Sequence, residues 1–256
     1  MHRILFQIGP ITLYSYGLCI AIGFLISAVL ILKDSEKFDI PKGDMLDVLI
    51  AVLVGGLIGG RLLFVLINWK IYLADPLRVL MVYEGGLAFQ GAFLMAVFTG
   101  AVFAKRRQMS FFKGADLIAP YIAFGQAVGR IGCFLNGCCY GKISTGKLTV
   151  VFPHETVARI PVQLYTSFAL FLLFIALSAG RKKQYFDGQI FALYLILYSL
   201  LRFFIDFLRG DNPLVLAGLK LSQVIGIGTF VCGAAMYAFL WMRHTRRIKS
   251  IKYSEQ

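Results

Sequence analysis

The sequence predicts an all-α, polytopic integral membrane protein with about seven transmembrane helices. Hydrophobic residues make up 59% of the 256 residues, and charged residues only 15%. A water-soluble fold could not bury this much apolar surface, whereas a bilayer surrounds it. The longest apolar stretches run to about 20 residues, which at a rise of about 1.5 Å per residue crosses a hydrocarbon core of roughly 30 Å.

Seven apolar stretches are candidate spans. They cover residues 11–32, 46–68, 86–104, 117–135, 162–179, 189–207 and 218–242. The first stretch shows no cleavage signature, so we expect it to remain as the first helix. The third and fourth open with polar or glycine-rich sequence and are candidates for broken or re-entrant backbone, which at membrane depth usually lines a site. We expect one transmembrane domain over 1–256, with a periplasmic or extracellular loop near 136–161.

The basic residues predict an orientation in the membrane. A net charge of +13 would attract nucleic acid if it formed one surface, but here it falls in short clusters between apolar stretches. Alternate connections and the C-terminal tail hold fifteen Lys and Arg residues, against seven in the N-terminus and the other connections. By the positive-inside bias, the N-terminus faces outward and the C-terminus lies in the cytoplasm, and we expect no nucleic-acid partner.

Three arginines lie inside predicted spans, Arg61, Arg130 and Arg202. An arginine at the bilayer centre costs about 2.5 to 3.5 kcal/mol on insertion scales, so each is expected to have a partner or a water-filled cavity. Asp206 follows Arg202 by one helical turn, and that spacing predicts a structural ion pair.

Arg61 and Arg130 have no carboxylate nearby in sequence, and glycines flank both. Small neighbours let a ligand approach, and the planar guanidinium suits a phosphate. This favours binding of a phospholipid head group. The alternative is that both arginines lie near the ends of spans and extend their charge to the interface.

Several other polar residues are weaker candidates. Glu84 precedes a glycine pair, and Gln90 follows on the same side if the stretch is helical, but glycine pairs also serve helix packing. Tyr16 and Tyr198 are placed to hydrogen-bond a head group, although spacing alone favours ordinary interface anchoring for both.

The cysteines do not form a metal-binding motif. Cys133, Cys138 and Cys139 are close in sequence, but a four-ligand site needs more donors and a catalytic thiol needs a base. Only His154, in the external loop, is placed to serve the outer half of the membrane. We therefore expect the cysteines to act as small hydrophobic residues, and predict no metal and no cofactor.

The segment 129–141, with sequence GRIGCFLNGCCYG, resembles the signature of the prolipoprotein diacylglyceryl transferase family. Further landmarks of the family follow the same order along nearly the whole chain. They are Tyr16-Gly17, Gly59-Gly60-Arg61, Glu84-Gly85-Gly86-Leu87, Gln163-Leu164-Tyr165, and Tyr198 with Arg202, Asp206 and Arg209.

The resemblance implies a multi-pass enzyme of the bacterial inner membrane. Such an enzyme transfers the diacylglyceryl group of phosphatidylglycerol to the lipobox cysteine thiol of a prolipoprotein signal peptide, and glycerol phosphate leaves. The seven spans and outward N-terminus that it implies agree with the charge count. Its partners would be phosphatidylglycerol, the prolipoprotein and membrane lipid.

The resemblance also implies roles for individual residues. Arg130 and Arg202 would contact the phosphate or leaving group, with Arg61 and Glu84 as a supporting pair. Tyr16, Asn136 and Tyr198 would donate or accept hydrogen bonds. Asp206, Gln163 and Gly141 match further positions of the family's substrate site, and Gln90 occupies the position of its usual histidine.

Three departures leave the general base unassigned. Gln90 cannot take a proton near pH 7, Cys133 and Cys138 replace the usual asparagine and acidic residue, and Ile160 replaces a frequent histidine. Three interpretations stay open: catalysis by another group such as Glu84 or His154, transfer to a different acceptor, and a lipid-binding paralogue. Polar residues at membrane depth would also line the path of a small-solute transporter, but we find no internal repeat typical of that class.

Overall fold

The computed structural model describes residues 4–8, 11–81, 85–146, 148–152, 156–210, 214–216 and 218–254. Eight α-helices account for most of this part of the chain. They are α1 (Ser15–Ser35), α2 (Lys42–Ile67), α3 (Trp69–Ala74), α4 (Phe89–Arg106), α5 (Phe111–Asn136), α6 (Val162–Gly180), α7 (Gln189–Leu208) and α8 (Leu221–Ser254). Short 3₁₀ turns occupy Glu36–Phe38, Pro76–Leu80 and Arg181–Lys183.

The helices confirm the polytopic all-α architecture. Among the described residues, six helices are long and apolar enough to cross a membrane: α1, α2, α5, α6, α7 and α8. Helix α4, with 18 residues, occupies the place of the third predicted span. A seventh crossing therefore stays a prediction.

Two expectations about the backbone are wrong. Residues 11–14 form a strand rather than the start of the first span, because Ile11–Tyr14 (β2) pairs antiparallel with Ile4–Ile8 (β1). The fourth span is an unbroken helix over Phe111–Asn136, even though Pro120 lies inside it. Its glycines serve close helix contact instead of interrupting the helix.

Two further strand pairs lie in connections. Val150–Val151 (β3) pairs with Ala158–Arg159 (β4) in the connection between α5 and α6. Leu214–Leu216 (β5) pairs with Leu219–Lys220 (β6) between α7 and α8. Short hairpins satisfy backbone hydrogen bonds where the chain leaves a helix and turns back.

The chain divides into two compact units. The first comprises the described residues of Met1–Ile31 and Ala115–Gln256, and the second those of Leu32–Gly114. The core of the first unit is a cluster from α5, α6 and α7. Its buried members are Ala119, Ala123, Ala127, Leu170, Leu173, Leu177, Ile190 and Tyr194. The alanines repeat every fourth residue, and this small-residue stripe lets helices approach closely.

A buried carboxylate ties α5 to the start of α7 in the first unit. Asp116 is fully buried and accepts hydrogen bonds from the backbone N–H groups of Gly188 (2.5 Å) and Phe191 (2.8 Å). The side-chain amide of Gln184 donates a third bond at 2.5 Å. The two backbone donors belong to the N-cap and first turn of α7, where N–H groups have no intrahelical acceptors, so Asp116 caps that helix from another element.

Glycines hold α2 against α4 in the second unit. A Cβ atom on Gly59 would meet the carbonyl oxygen of Gly91 and the side chain of Met95, and one on Gly91 would meet the backbone of Gly59. A Cβ atom on Gly55 would likewise lie only 2.6 Å from the methyl group of Thr99. The two helix backbones therefore touch along this seam, as small residues allow in membrane proteins.

Candidate functional site

Most of the predicted site residues lie at one end of the helices of the first unit. The start of α1 packs on the end of α5, and hydrogen bonds join the chain after α5 to the start of α6 and the end of α7. Lys220, directly before α8, binds the end of α7. These positions hold Tyr16, Arg130, Asn136, Gln163, Tyr198, Arg202 and Asp206. Gly141 lies just beyond the end of α5.

Tyr16 is brought to this end because glycines let α1 lie directly on α5. A Cβ atom on Gly132 would lie 2.8 Å from the Cβ of Cys19 and 3.3 Å from the Cα of Tyr16. One turn earlier in α5, a Cβ atom on Gly129 would lie 3.0 Å from the Cδ1 atom of Ile20. The Tyr16 side chain is 42% exposed and lies within electrostatic range of Arg130.

Arg130 is half-buried near the end of α5. Its guanidinium forms no hydrogen bond and no ion pair within the part of the chain that the structure describes. Arg130 and Arg202 are close enough to repel each other. A half-buried cation without a carboxylate partner suits an anion supplied from outside the protein.

The predicted ion pair between Arg202 and Asp206 is confirmed. The Nη2 atom of Arg202 lies 3.4 Å from Oδ1 of Asp206, and the Nε atom of Arg209 lies 4.0 Å from the same oxygen. Asp206 is fully buried. The buried Nζ atom of Lys220 donates to the carbonyl oxygens of Asp206 (2.5 Å) and Arg209 (2.6 Å). Two arginines therefore share the carboxylate of Asp206, and Lys220 binds the backbone carbonyl groups beside it.

This excess of positive charge is the main electrostatic feature of the site. Among the described residues of this cluster, Asp206 is the one carboxylate, against the cations Arg130, Arg202, Arg209 and Lys220. A buried group of like charges is expensive unless a counter-ion binds, and a phosphate supplies both negative charge and several acceptor oxygens. Sequence reasoning missed Lys220, although a lysine at the start of an otherwise apolar span was a usable signal.

Tyr198 lies on α7 one turn before Arg202. Its ring stacks on that of Tyr194, with centroids 5.6 Å apart and an interplanar angle of 24°. The hydroxyl of Tyr194 donates to Oε1 of Gln126 at 3.2 Å, which holds the pair against α5. Tyr198 is half-buried and lies within electrostatic range of Arg202, so its hydroxyl is available beside the cations.

A tight turn ends α5 and folds the chain back on the helix. Gly137 has a φ of 71°, and the N–H groups of Gly137 and Cys138 donate to the carbonyl oxygens of Phe134 (3.1 Å) and Cys133 (3.2 Å). This is a Schellman arrangement, in which a left-handed glycine satisfies the last carbonyls of a helix. Here it returns Cys138 to the side of Cys133.

The turn gathers three thiols. The sulfur atoms of Cys133, Cys138 and Cys139 lie within 4.8 Å of one another. Cys133 is buried, the other two are half-buried, and Asn136 hydrogen-bonds to Cys138. Hydrogen bonds from Cys133, Cys139 and Asn136, with the charge of Arg130, lower the pKa of Cys138 below the usual thiol range. The sequence gives three nearby cysteines but not their convergence, which depends on the turn at Gly137.

Gly141 and Gln163 secure the chain after the turn. The N–H of Gly141 donates to the carbonyl of Ile160 at 3.0 Å, and a Cβ atom at Gly141 would lie only 2.6 Å from Val162. The side-chain nitrogen of buried Gln163 donates to the carbonyl of Cys138 at 2.7 Å. Both residues position the backbone of the turn. The amide oxygen of Gln163 accepts no hydrogen bond from the described residues.

Arg61, in the second unit, is fully engaged by backbone. It is buried, and its five N–H groups each donate to a carbonyl oxygen. The acceptors are those of Arg78, Val79 (2.9 Å), Met81 (3.2 Å), Gly85 (2.6 Å) and Gly86 (3.1 Å). The ring of Tyr72 lies 5.4 Å from the guanidinium carbon. The structure thus makes Arg61 the residue that shapes the chain before α4.

Gln90 is the second residue of α4, and it is exposed in the first turn of that helix. The other two residues considered as proton acceptors, Glu84 and His154, lie outside the described residues.

Comparisons with known proteins place the whole chain in one family. A family model described as prolipoprotein diacylglyceryl transferase matches residues 3–239. A phosphatidylglycerol–prolipoprotein diacylglyceryl transferase of Halalkalibacterium halodurans is 33% identical over 99% of this chain and 90% of its own length. Relatives with the same name from Bacillus cereus and Bacillus thuringiensis subsp. konkukian are 35% and 34% identical, each over all of this chain and 97% of their own length.

Proposed function

The chain belongs to the prolipoprotein diacylglyceryl transferase family, and we propose from this premise that it transfers the diacylglyceryl group of phosphatidylglycerol to the lipobox cysteine of prolipoproteins. It is a multi-pass membrane protein. We further propose that it lies in the bacterial inner membrane with its N-terminus outward, as its charge distribution favours.

One observation carries the proposal for this chain in particular. Arg130 is unpaired within the described residues and lies near Arg202, which shares the carboxylate of Asp206 with Arg209. The abundant anion at that depth of a membrane is the phosphate of a phospholipid. A guanidinium binds such a phosphate with paired donors, and the attraction grows as charge develops on the leaving oxygen.

The reaction breaks one bond and forms another at the same carbon. The thiol sulfur of the acceptor attacks the diacylglyceryl carbon next to the phosphate, and the C–O bond to the phosphate breaks. The electron pair stays on the phosphate oxygen, so glycerol phosphate leaves with one additional negative charge, and the thiol proton is released. Arg130 and Arg202 hold this phosphate in our account and stabilise the added charge.

The other predicted residues take supporting roles in this proposal. The hydroxyl groups of Tyr16 and Tyr198 and the amide of Asn136 offer hydrogen bonds to the lipid head group or acceptor. Gly141 and Gln163 shape the turn after α5. We place Arg61 as a positioning residue of the segment that leads to α4 and Gln90, and Gln90 as a hydrogen-bonding position because an amide does not titrate.

Purified protein, phosphatidylglycerol labelled in its diacylglyceryl group and a lipobox peptide test this function. We expect a thioether-linked diacylglyceryl peptide from the unaltered protein, and product formation slower by about 100-fold or more from Arg130→Ala. A matched lipid labelled in the head-group glycerol should give a water-soluble labelled phosphate. Product only after Gln90→His would instead identify a lipid-binding paralogue that has lost its proton acceptor. Product with a different thiol acceptor, but not with the lipobox peptide, would mean that the enzyme modifies another thiol.

A further inference from the structure

The three thiols clustered at the end of α5 form a possible metal-binding site. Within the described part of the chain, Cys133, Cys138 and Cys139 are the group of three or more potential ligands whose donor atoms come near enough to share one metal ion. Three sulfurs bound to one zinc ion at about 2.3 Å would lie about 3.8 Å apart. Separations within 4.8 Å need only small side-chain rotations to reach that value.

We propose that Cys133, Cys138 and Cys139 bind one thiophilic divalent metal ion, zinc, through three sulfur ligands and leave its fourth position open. Thiolates select soft or borderline ions such as zinc over magnesium or calcium. Three thiolates and one divalent ion carry a net charge of −1, and Arg130 is close enough to compensate it. Sites with three protein ligands and one open position are the catalytic class of zinc sites.

The backbone of the turn supports a built site rather than a chance cluster. Cys139 has a φ of 62°, a left-handed conformation that costs a non-glycine residue about 1 kcal/mol or more. The side-chain nitrogen of Gln163, itself only 1% exposed, fixes the carbonyl of Cys138 at 2.7 Å. The hydrogen bonds of the turn hold Cys138 against the carbonyl of Cys133. These restraints keep all three sulfurs on one side of the turn.

The open position has a natural occupant if the proposed function holds. The acceptor of that reaction is a thiol, and a thiol bound to zinc is deprotonated. Its proton goes to solvent, its sulfur attacks the diacylglyceryl carbon, and the C–O bond to phosphate breaks with the electron pair leaving on the phosphate. The zinc ion keeps its charge throughout. This would supply the activated thiolate that Gln90, which does not titrate, cannot produce.

Metal content tests the site without reference to activity. We expect about one zinc per chain in protein purified from zinc-supplemented cells, measured by elemental mass spectrometry. Substitution with cobalt should give the intense d–d bands of tetrahedral cobalt and sulfur-to-cobalt charge-transfer bands. Cys133→Ser, Cys138→Ser and Cys139→Ser should each lose the metal and these bands. Cys232→Ser is the matched control, because Cys232 is exposed on α8, and it should retain both.

Stripping the unaltered protein with a chelator provides a second measurement that does not depend on how the variants fold. The stripped protein should rebind zinc fully, and it should also bind cobalt in the same site. Protein that holds less than about a tenth of an equivalent of zinc, and shows no cobalt–sulfur bands, would overturn the proposal. So would an intramolecular disulfide between two of these cysteines in freshly purified, reductant-free protein.

The role of the open position has its own readout. A lipobox peptide should intensify the cobalt–sulfur charge-transfer bands by adding a fourth thiolate, whereas a peptide with serine in place of the cysteine should not. Metal binding without any diacylglyceryl transfer would leave the site standing and reject the proposed function. Transfer that proceeds at an unchanged rate after complete metal removal would support the function and reject the metal site's part in it.

Discussion

The Nη1 atom of Arg61 donates a hydrogen bond of 2.6 Å to the carbonyl oxygen of Gly85. This bond is one of five by which a single buried side chain fixes the chain before α4, where Gly85 and Gly86 take positive φ values of 87° and 80°. A Cβ atom at Gly86 would lie 2.8 Å from Nη1 of Arg61. Arginine and glycines therefore specify this segment together.

We expect Arg61→Lys to destabilise the protein, because an ammonium group replaces at most three of the five bonds and lacks the planar fork. The loss should be about 2 kcal/mol, which corresponds to a fall of several degrees in the melting midpoint. Thermal unfolding in detergent measures it. Arg78→Lys is the control, since the exposed side chain of Arg78 pairs with Asp75 alone among the described residues. Unchanged stability with lost transfer would instead mean that Arg61 contacts substrate.

Arg130→Ala should reduce the rate of transfer by about 100-fold or more, the usual effect of removing a donor that stabilises developing charge. Arg130→Lys should recover part of the rate, because it restores charge but not the paired geometry. Initial rates at saturating lipid separate this effect from weaker binding. Lys142→Ala removes an exposed cation from the following loop and should leave the rate unchanged. Equal rates for Arg130→Ala and the unaltered protein would remove Arg130 from the mechanism.

Gly132→Ala should separate α1 from α5 and displace Tyr16. The added methyl group would lie 2.8 Å from Cys19, and overpacking of this kind costs about 1 to 3 kcal/mol. Both the melting midpoint and the transfer rate should fall. Gly228→Ala on α8 provides the comparison, since a Cβ atom there meets nothing within 4 Å. If both variants behave alike, close contact at Gly132 is not what places Tyr16.

Asp116→Ala should lower stability without changing the rate per folded molecule. The substitution leaves the N–H groups of Gly188 and Phe191 without their acceptor, at a cost of about 3 kcal/mol in total, while the amide of Gln184 keeps its bond to the carbonyl of Phe186. Asp187→Ala, at an exposed neighbouring position, should be neutral. Melting curves and rates normalised to folded protein distinguish the two effects. A lower rate at full folding would assign Asp116 a functional role.

The spans were predictable because length and apolar composition alone determine whether a segment suits the bilayer. Predicted stretches at 162–179 and 189–207 agree within a residue with Val162–Gly180 and Gln189–Leu208. The ion pair of Arg202 and Asp206 was predictable for the same reason, since helical spacing is local. The hairpin of β1 and β2 was not predictable. Strand β1 is too short to show a pattern, and the sequence of β2 continues into the apolar stretch that predicts the first helix.

The site was less accessible to sequence reasoning than the fold. Arg130 was identified from its flanking glycines, but the guanidinium of Arg61, with similar neighbours, turned out to bind backbone. The difference depends on a loop that folds back onto Arg61, which no local pattern encodes. The meeting of three thiols likewise depends on the left-handed turn at Gly137 and on contacts from distant Gln163.

The stoichiometry of the two products tests whether the diacylglyceryl group passes from lipid to peptide in one reaction. Purified protein would be supplied with phosphatidylglycerol and a lipobox peptide, and both the thioether-linked diacylglyceryl peptide and free glycerol phosphate would be quantified over time. We expect the two to appear together in equal amounts. Glycerol phosphate without modified peptide, or peptide modified without release of glycerol phosphate, would contradict it.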